Sequence, residues 1–158
     1  MPSGLFFHEL VHVVLSAATS GLCYFLVKRE KKTLRRELFL FGLLGALAGG
    51  FFVDLDHGIE YFMAYGFKFD LSSFFSGHMF ADLNKIFVIG HAWEWVPLLG
   101  LWASFTKNVR LKYFLIGLGV GLLTHLVFDQ YSNHINALGY SIIYRFLVGF
   151  DLRAVTVP

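Results

Sequence analysis

The chain has 158 residues, enough for one domain, and at 56% hydrophobic with a mean hydropathy of +0.62 it lies well above the usual globular composition, which predicts a membrane protein. A net charge of +2 is too small to mark a nucleic-acid partner. The one cysteine, Cys23, sits inside an apolar run, so neither a disulfide framework nor a cysteine zinc cluster is available.

Residues 5–27 carry no Lys or Arg and are long enough, at ~1.5 Å per residue, to cross ~30 Å of hydrocarbon as a first helix, with His8, Glu9 and His12 in its first third. No basic stretch precedes it, so it is expected to be a retained helix rather than a cleaved signal peptide. Lys28, Arg29, Lys31, Lys32, Arg35 and Arg36 then crowd a short loop, which marks the cytoplasmic side. The second helix, 38–56, is rich in small residues (Gly42, Gly45, Ala46, Ala48, Gly49, Gly50) that let neighbouring helices approach closely. It closes on Val53-Asp54-Leu55-Asp56-His57.

Residues 58–85 mix Phe and Tyr with polar residues and hold no spanning run; they predict one or two interfacial helices with a loop around 71–77. The third helix is expected over 86–105, with His91 and Glu94 in its first turns, and Lys107, Arg110 and Lys112 form a second cytoplasmic loop. The fourth, 113–131, carries Gly117, Gly119 and Gly121, then His125 and Asp129 near its far end. The tail, 132–158, has only short apolar patches and is assigned to the interface that holds the acidic cluster. The reading is therefore all-α: one polytopic domain, a bundle of four transmembrane helices with interfacial helices after the second and fourth. Nine of the 13 Lys and Arg fall in the two cytoplasmic loops, which places both termini outside the cytoplasm.

The remaining polar residues test that topology independently. His8 and His12 open the first helix, Asp54, Asp56 and His57 close the second, His91 and Glu94 open the third, and His125 and Asp129 close the fourth. All land at the extracytoplasmic end. Spacings of three or four residues put each pair on one helical face, the way bundle proteins build a one-metal or two-metal site. A lone His or Asp at a helix end is more often an interfacial group touching water than a ligand, and His78 and His134 are read that way. Four such groups at one depth are explained together by one metal site. Imidazoles and carboxylates suit zinc, manganese or iron, with zinc favoured.

His8-Glu9-Leu10-Val11-His12 also matches H-E-x-x-H, in which two His bind zinc and the Glu acts as base. Alone it suggests an intramembrane metalloprotease with Asp54, Asp56 or Asp129 as third ligand, but it leaves the third and fourth helices without a role.

With these residues in order, the chain resembles the membrane-bound metal-dependent hydrolase family of small bacterial and archaeal proteins. Its N-terminal His looks like His8 or His12, its P-D-x-D-H cluster like 53–57, its later His stretch like Gly90-His91-Ala92-Trp93-Glu94, and its G-x-x-x-H-x-x-x-D like 121–129. Val53 stands where that pattern has proline, and His91 with Glu94 where it has a longer H-R-x-x-T-H-S stretch. The motif order is also similar to zinc-dependent phospholipases C and single-strand zinc nucleases, which implies phosphoester hydrolysis.

The expected ligands are thus His57, His91, His125, Asp54 and Asp129, completed by His8 or His12, around one or two divalent ions. Asp56 and Glu94 are candidates for general base or for orienting a ligand His. The expected substrate is a lipid headgroup or lipid-linked phosphate at the outer interface. A metal sensor or transporter, or a lipid-binding protein without metal, are the other classes; few polar residues lie in the cytoplasmic halves, which speaks against transport.

Overall fold

The structure is a computed structural model that describes residues 2–27, 32–76 and 78–157. The described residues are mostly helical, with two isolated bridges, Lys85 to Asp151 and Ile135 to Thr156, and no strand. Lys28, Arg29 and Lys31 of the first basic loop lie outside the described residues.

Four helices form the frame: α1 (Pro2–Val27), α2 (Lys32–Phe51), α6 (Trp95–Phe105) and α7 (Val109–Ser132). α7 is central and packs on α1, α2 and α6. Its start is fixed by Asn108, whose side-chain oxygen accepts from the Leu111 N–H at 3.1 Å, the usual way an orphan amide of a first turn is satisfied. The small residues expected to let helices approach do so. A Cβ on Gly117 or Gly121 would overlap the carbonyls of Gly42 or Ala46, and one on Gly45 or Gly49 would overlap those of Phe114 or Leu118. α2 and α7 therefore touch backbone to backbone along their length. A Cβ on Gly50 would strike the Ser16 hydroxyl, which fixes how closely α1 lies on α2.

Two helices, Leu34–Tyr65 and Val109–Ser132, are long and apolar enough to cross a membrane; the first bends through a tight 3-10 turn at Phe52–Asp56 into α3 (His57–Tyr65). The helix expected over 86–105 is shorter than predicted. α6 begins only at Trp95, and its 11 residues span ~16 Å, about half the hydrocarbon thickness. Residues 86–94 run as irregular chain instead. Ile86, Val88, Ile89 and Gly90 are poor helix formers, and Val88 takes a positive φ of 23°. The run is apolar because Ile86 and Val88 pack in the protein's own core with Leu122, Leu126, Ile135, Tyr140 and Val155.

The 58–85 region gives α3, α4 (Leu71–Ser76) and α5 (His78–Leu83). Its turn falls at 66–70 rather than 71–77: Gly66, at φ 69°, ends α3, and the Asp70 carboxylate accepts from the Ser73 N–H to start α4. The tail folds into α8 (Ile142–Leu147) and α9 (Leu152–Val155), and contributes Ile135, Tyr140 and Val155 to the core rather than lying apart from it.

Gly121→Leu is expected to force α2 from α7 and lower stability by about 1–3 kcal/mol, whereas Gly100→Ala, where a Cβ meets open space, should be neutral or better. Thermal melts of the purified variants check this.

Candidate metal centre

Three segments and one loop deliver the polar side chains to one point. On α1, His8 and His12 are one turn apart and share a face; on α7, His125 and Asp129 do the same. The 3-10 turn after Gly49-Gly50 presents Asp54, Asp56 and, at its end, His57. The irregular 86–94 segment inserts His91, fully buried, between them.

Asp129 sits in the middle. Its Oδ1 lies 3.0 Å from His12 Nε2 and 3.1 Å from His8 Nε2, while Oδ2 lies 3.2 Å from His125 Nε2 and 3.7 Å from His91 Nε2. Asp54 closes the other side: its Oδ1 is 3.2 Å from His91, 3.3 Å from His57 and 3.5 Å from His125. The cluster thus has two lobes, His8/His12/Asp129 and Asp54/His91/His125/Asp129, joined by one carboxylate, and a third group toward the rim, Asp56/His57/His91, that shares His91 with the second. His8 and His12, alternatives in the sequence, both take part.

The outer nitrogens fix the ring states. His125 Nδ1 is 3.0 Å from the Gly50 carbonyl, which can only accept, so the proton sits on Nδ1 and Nε2 carries a lone pair. His91 Nδ1 is 2.9 Å from Asp56 Oδ1, and Asp56 is itself held by the Gly90 N–H, which donates to Oδ2 at 2.6 Å. Neither His91 Nδ1 nor Asp56 Oδ1 makes a well-formed hydrogen bond, so this close contact is chiefly one of charge. With both outer nitrogens turned to acceptors, the His91 and His125 Nε2 atoms face each other at 3.0 Å. Two lone pairs at that distance need a proton or a cation between them. An edge of ~3.3 Å is what two ligands on a tetrahedral ion with bonds of ~2.0 Å would show. Paired carboxylates at ~4 Å repel by about 4 kcal/mol at an intermediate dielectric, so Asp54, Asp56 and Asp129 together also call for positive charge. The donor set, imidazole and carboxylate with no thiolate, therefore fits a divalent cation.

In the absence of a cation a proton can take the place.

Of the two residues expected to act as base or orienter, Asp56 takes the orienting position. Glu94 does not reach the cluster. Its carboxylate accepts from the Ser141 hydroxyl and from the Ile142 and Ile143 N–H groups, so it anchors the first turn of α8. The correction follows from the missing helix: with 86–94 irregular, the predicted i, i+3 relation of His91 and Glu94 does not hold. His78 and His134 are exposed and outside every such group among the described residues. The side chain of Glu9 lies outside the described ones.

Two functional residues escaped the sequence reading. Arg145, fully buried, donates from Nη1 to the Phe87 and Val88 carbonyls and from Nη2 to that of His91. Glu60, equally buried, accepts from the Val88 N–H at 2.6 Å and from that of Phe87. Together they satisfy the backbone of the non-helical segment and set the height of His91. Their signal was present: an ionisable side chain in an apolar stretch is a site candidate by default.

No protein-family model matches the chain, and neither a curated protein nor a solved structure matches it significantly.

Arg145→Lys should keep the charge but lose the fork that grips three carbonyls, and is expected to weaken metal binding roughly tenfold or more, readable by competition with a chelator dye. Chelator-treated protein should melt at a lower temperature than the metal-loaded protein, and added Zn²⁺ should restore it, as melts with and without the ion would record.

Proposed function

We propose that the chain is a membrane-embedded, metal-dependent hydrolase that acts on a phosphoester or related ester at the extracytoplasmic interface. The supporting observation is the side-chain cluster in which His91 Nε2 and His125 Nε2 face each other while Asp129 bridges to His8 and His12. This is the arrangement that the resemblance to the membrane-bound metal-dependent hydrolases implies.

On this reading α1, α2, α7 and the combination of 86–94 with α6 cross the bilayer as four spans, with the basic loops in the cytoplasm and both termini and the site outside. The large exposed side chains of these helices, among them Leu40, Leu44, Leu98, Trp102, Leu123 and Val127, support a lipid surround. Membrane lipid is then both solvent and candidate substrate.

His8, His12 and one oxygen of Asp129 would hold one ion, and Asp54, His91, His125 and the other oxygen of Asp129 a second. Zinc is the favoured identity. Bound there, such ions supply Lewis acidity toward the substrate oxygens and acidify a water molecule toward pKa ~7. The protein's own part is positional. Asp56 and the Gly50 carbonyl keep the Nε2 atoms of His91 and His125 aimed inward and unprotonated at the working face. Asp129 keeps the two lobes in register. His57, a quarter exposed on its side chain, stands at the opening, where it can pass a proton to a leaving oxygen. The intramembrane metalloprotease reading uses His8, His12 and Asp129 but gives no role to Asp54, His91 and His125, and a metal sensor would have no need of the cavity described below.

Metal analysis of the purified protein is expected to give two divalent ions per chain, about one in His12→Ala and none or one in Asp129→Asn. Hydrolysis of a generic phosphodiester or ester should fall by at least about 10³-fold in Asp129→Asn and His125→Ala. Full metal content without hydrolysis of any ester would favour the sensor; protein without bound metal after reconstitution would end both readings.

A further inference from the structure

Beside the centre lies a cavity of about 360 Å³, at the low end of the range for a small-molecule site. His8, Asp54, His57 and Asp129 form its floor, so whatever fills it touches the proposed ions. Its walls are Phe74, Met79, Ile86, Val88, Ile135 and Leu152, drawn from α4, α5, the 86–94 segment and the tail. Among the described residues, no Lys or Arg lines it.

The polar exceptions are Ser76, Asn133, Tyr140 and Thr156, of which Tyr140 and Asn133 are paired with each other. The Tyr140 ring is buried and stacks on His91 with centroids 6.1 Å apart. Asn133 Nδ2 donates to the Tyr140 oxygen at 3.3 Å, so the phenol is already an acceptor on one side and its own hydrogen is left to donate.

Charge then decides between substrates. A phosphate monoester carries about −1.5 to −2 at neutral pH. With no Lys or Arg on the walls, its second charge would face apolar side chains. A diester or carboxyl ester brings one negative charge or none. We infer that this cavity seats a hydrocarbon arm attached directly to the scissile ester or phosphodiester, with Tyr140 donating its hydroxyl hydrogen to a substrate oxygen. The inference rests on the hydrolase reading for the word substrate, but the seat itself can be tested without turnover.

The probes are two non-hydrolysable monoanions, methyl dodecylphosphonate and methyl ethylphosphonate, titrated onto zinc-loaded full-length protein held in amphipol so that no detergent tail competes. The longer probe should bind at least about tenfold more tightly, what burial of roughly two methylenes supplies. Leu152→Trp narrows the cavity from the core side and Ser76→Phe from the exposed end of α4; in each, with metal content unchanged, the preference should shrink below about threefold. Tyr140→Phe should weaken both probes by about tenfold, the size of a lost hydrogen bond to a charged acceptor, while leaving chain-length preference and zinc content as they were. Equal affinity for the two probes, an unaltered preference in both narrowed variants, or no effect of Tyr140→Phe would overturn the inference. Chain-length-dependent binding in a protein that hydrolyses neither a dodecyl ester nor a dodecyl phosphodiester would support the seat and refute the hydrolase.

Discussion

The centre of this molecule is a place where acceptors outnumber donors. Imidazole nitrogens from α1, α7 and the 86–94 segment converge with the oxygens of Asp54 and Asp129, and the outer nitrogens of His91 and His125 are turned to Asp56 and to the Gly50 carbonyl. What remains inside is lone pairs, almost wholly shielded from water: His12, His91, His125 and Asp129 are each no more than 2% exposed. Desolvated carboxylates without a counter-charge are costly enough that such a grouping persists only around a cation or its proton substitutes.

The rest of the fold reads as the means of holding those groups at that spacing. Backbone contact between α2 and α7 through Gly45, Gly49, Gly117 and Gly121 leaves no side chain to vary their separation, so the Gly50 carbonyl meets His125 at hydrogen-bond distance. Ser16 against Gly50 sets α1, and with it His12, whose ring stacks on that of His125 at 3.8 Å. His91 alone comes from irregular chain. There Glu60 holds the amides and Arg145 the carbonyls, two buried ions that replace the ladder a helix would have supplied.

Much of this was legible in the residues. Apolar length between basic loops marks α1, α2 and α7, small residues mark the close approach of α2 and α7, and the i, i+4 pairs His8/His12 and His125/Asp129 require nothing but a helix to align them. His91 was legible as a partner, yet its local structure was not. A run of apolar residues before Trp95 reads as lipid-facing helix, when its apolarity reflects burial against Leu122, Leu126 and the folded tail. Glu94 was misplaced by the same assumption. Arg145 and Glu60 were missed because each lies more than 25 residues in sequence from the segment it holds, a relation that no local pattern carries. The cavity, too, depends on the tail folding back, which short patches between 132 and 158 do not announce.

X-ray absorption at the metal edge of the purified, reconstituted protein tests the central claim most directly. The account predicts a shell of nitrogen and oxygen at ~2.0–2.1 Å with imidazole scattering from at least two rings and no sulfur, and a second metal near ~3.5–4 Å when both lobes are filled. A spectrum of fully hydrated ion, or a protein that retains no metal to measure, would contradict it.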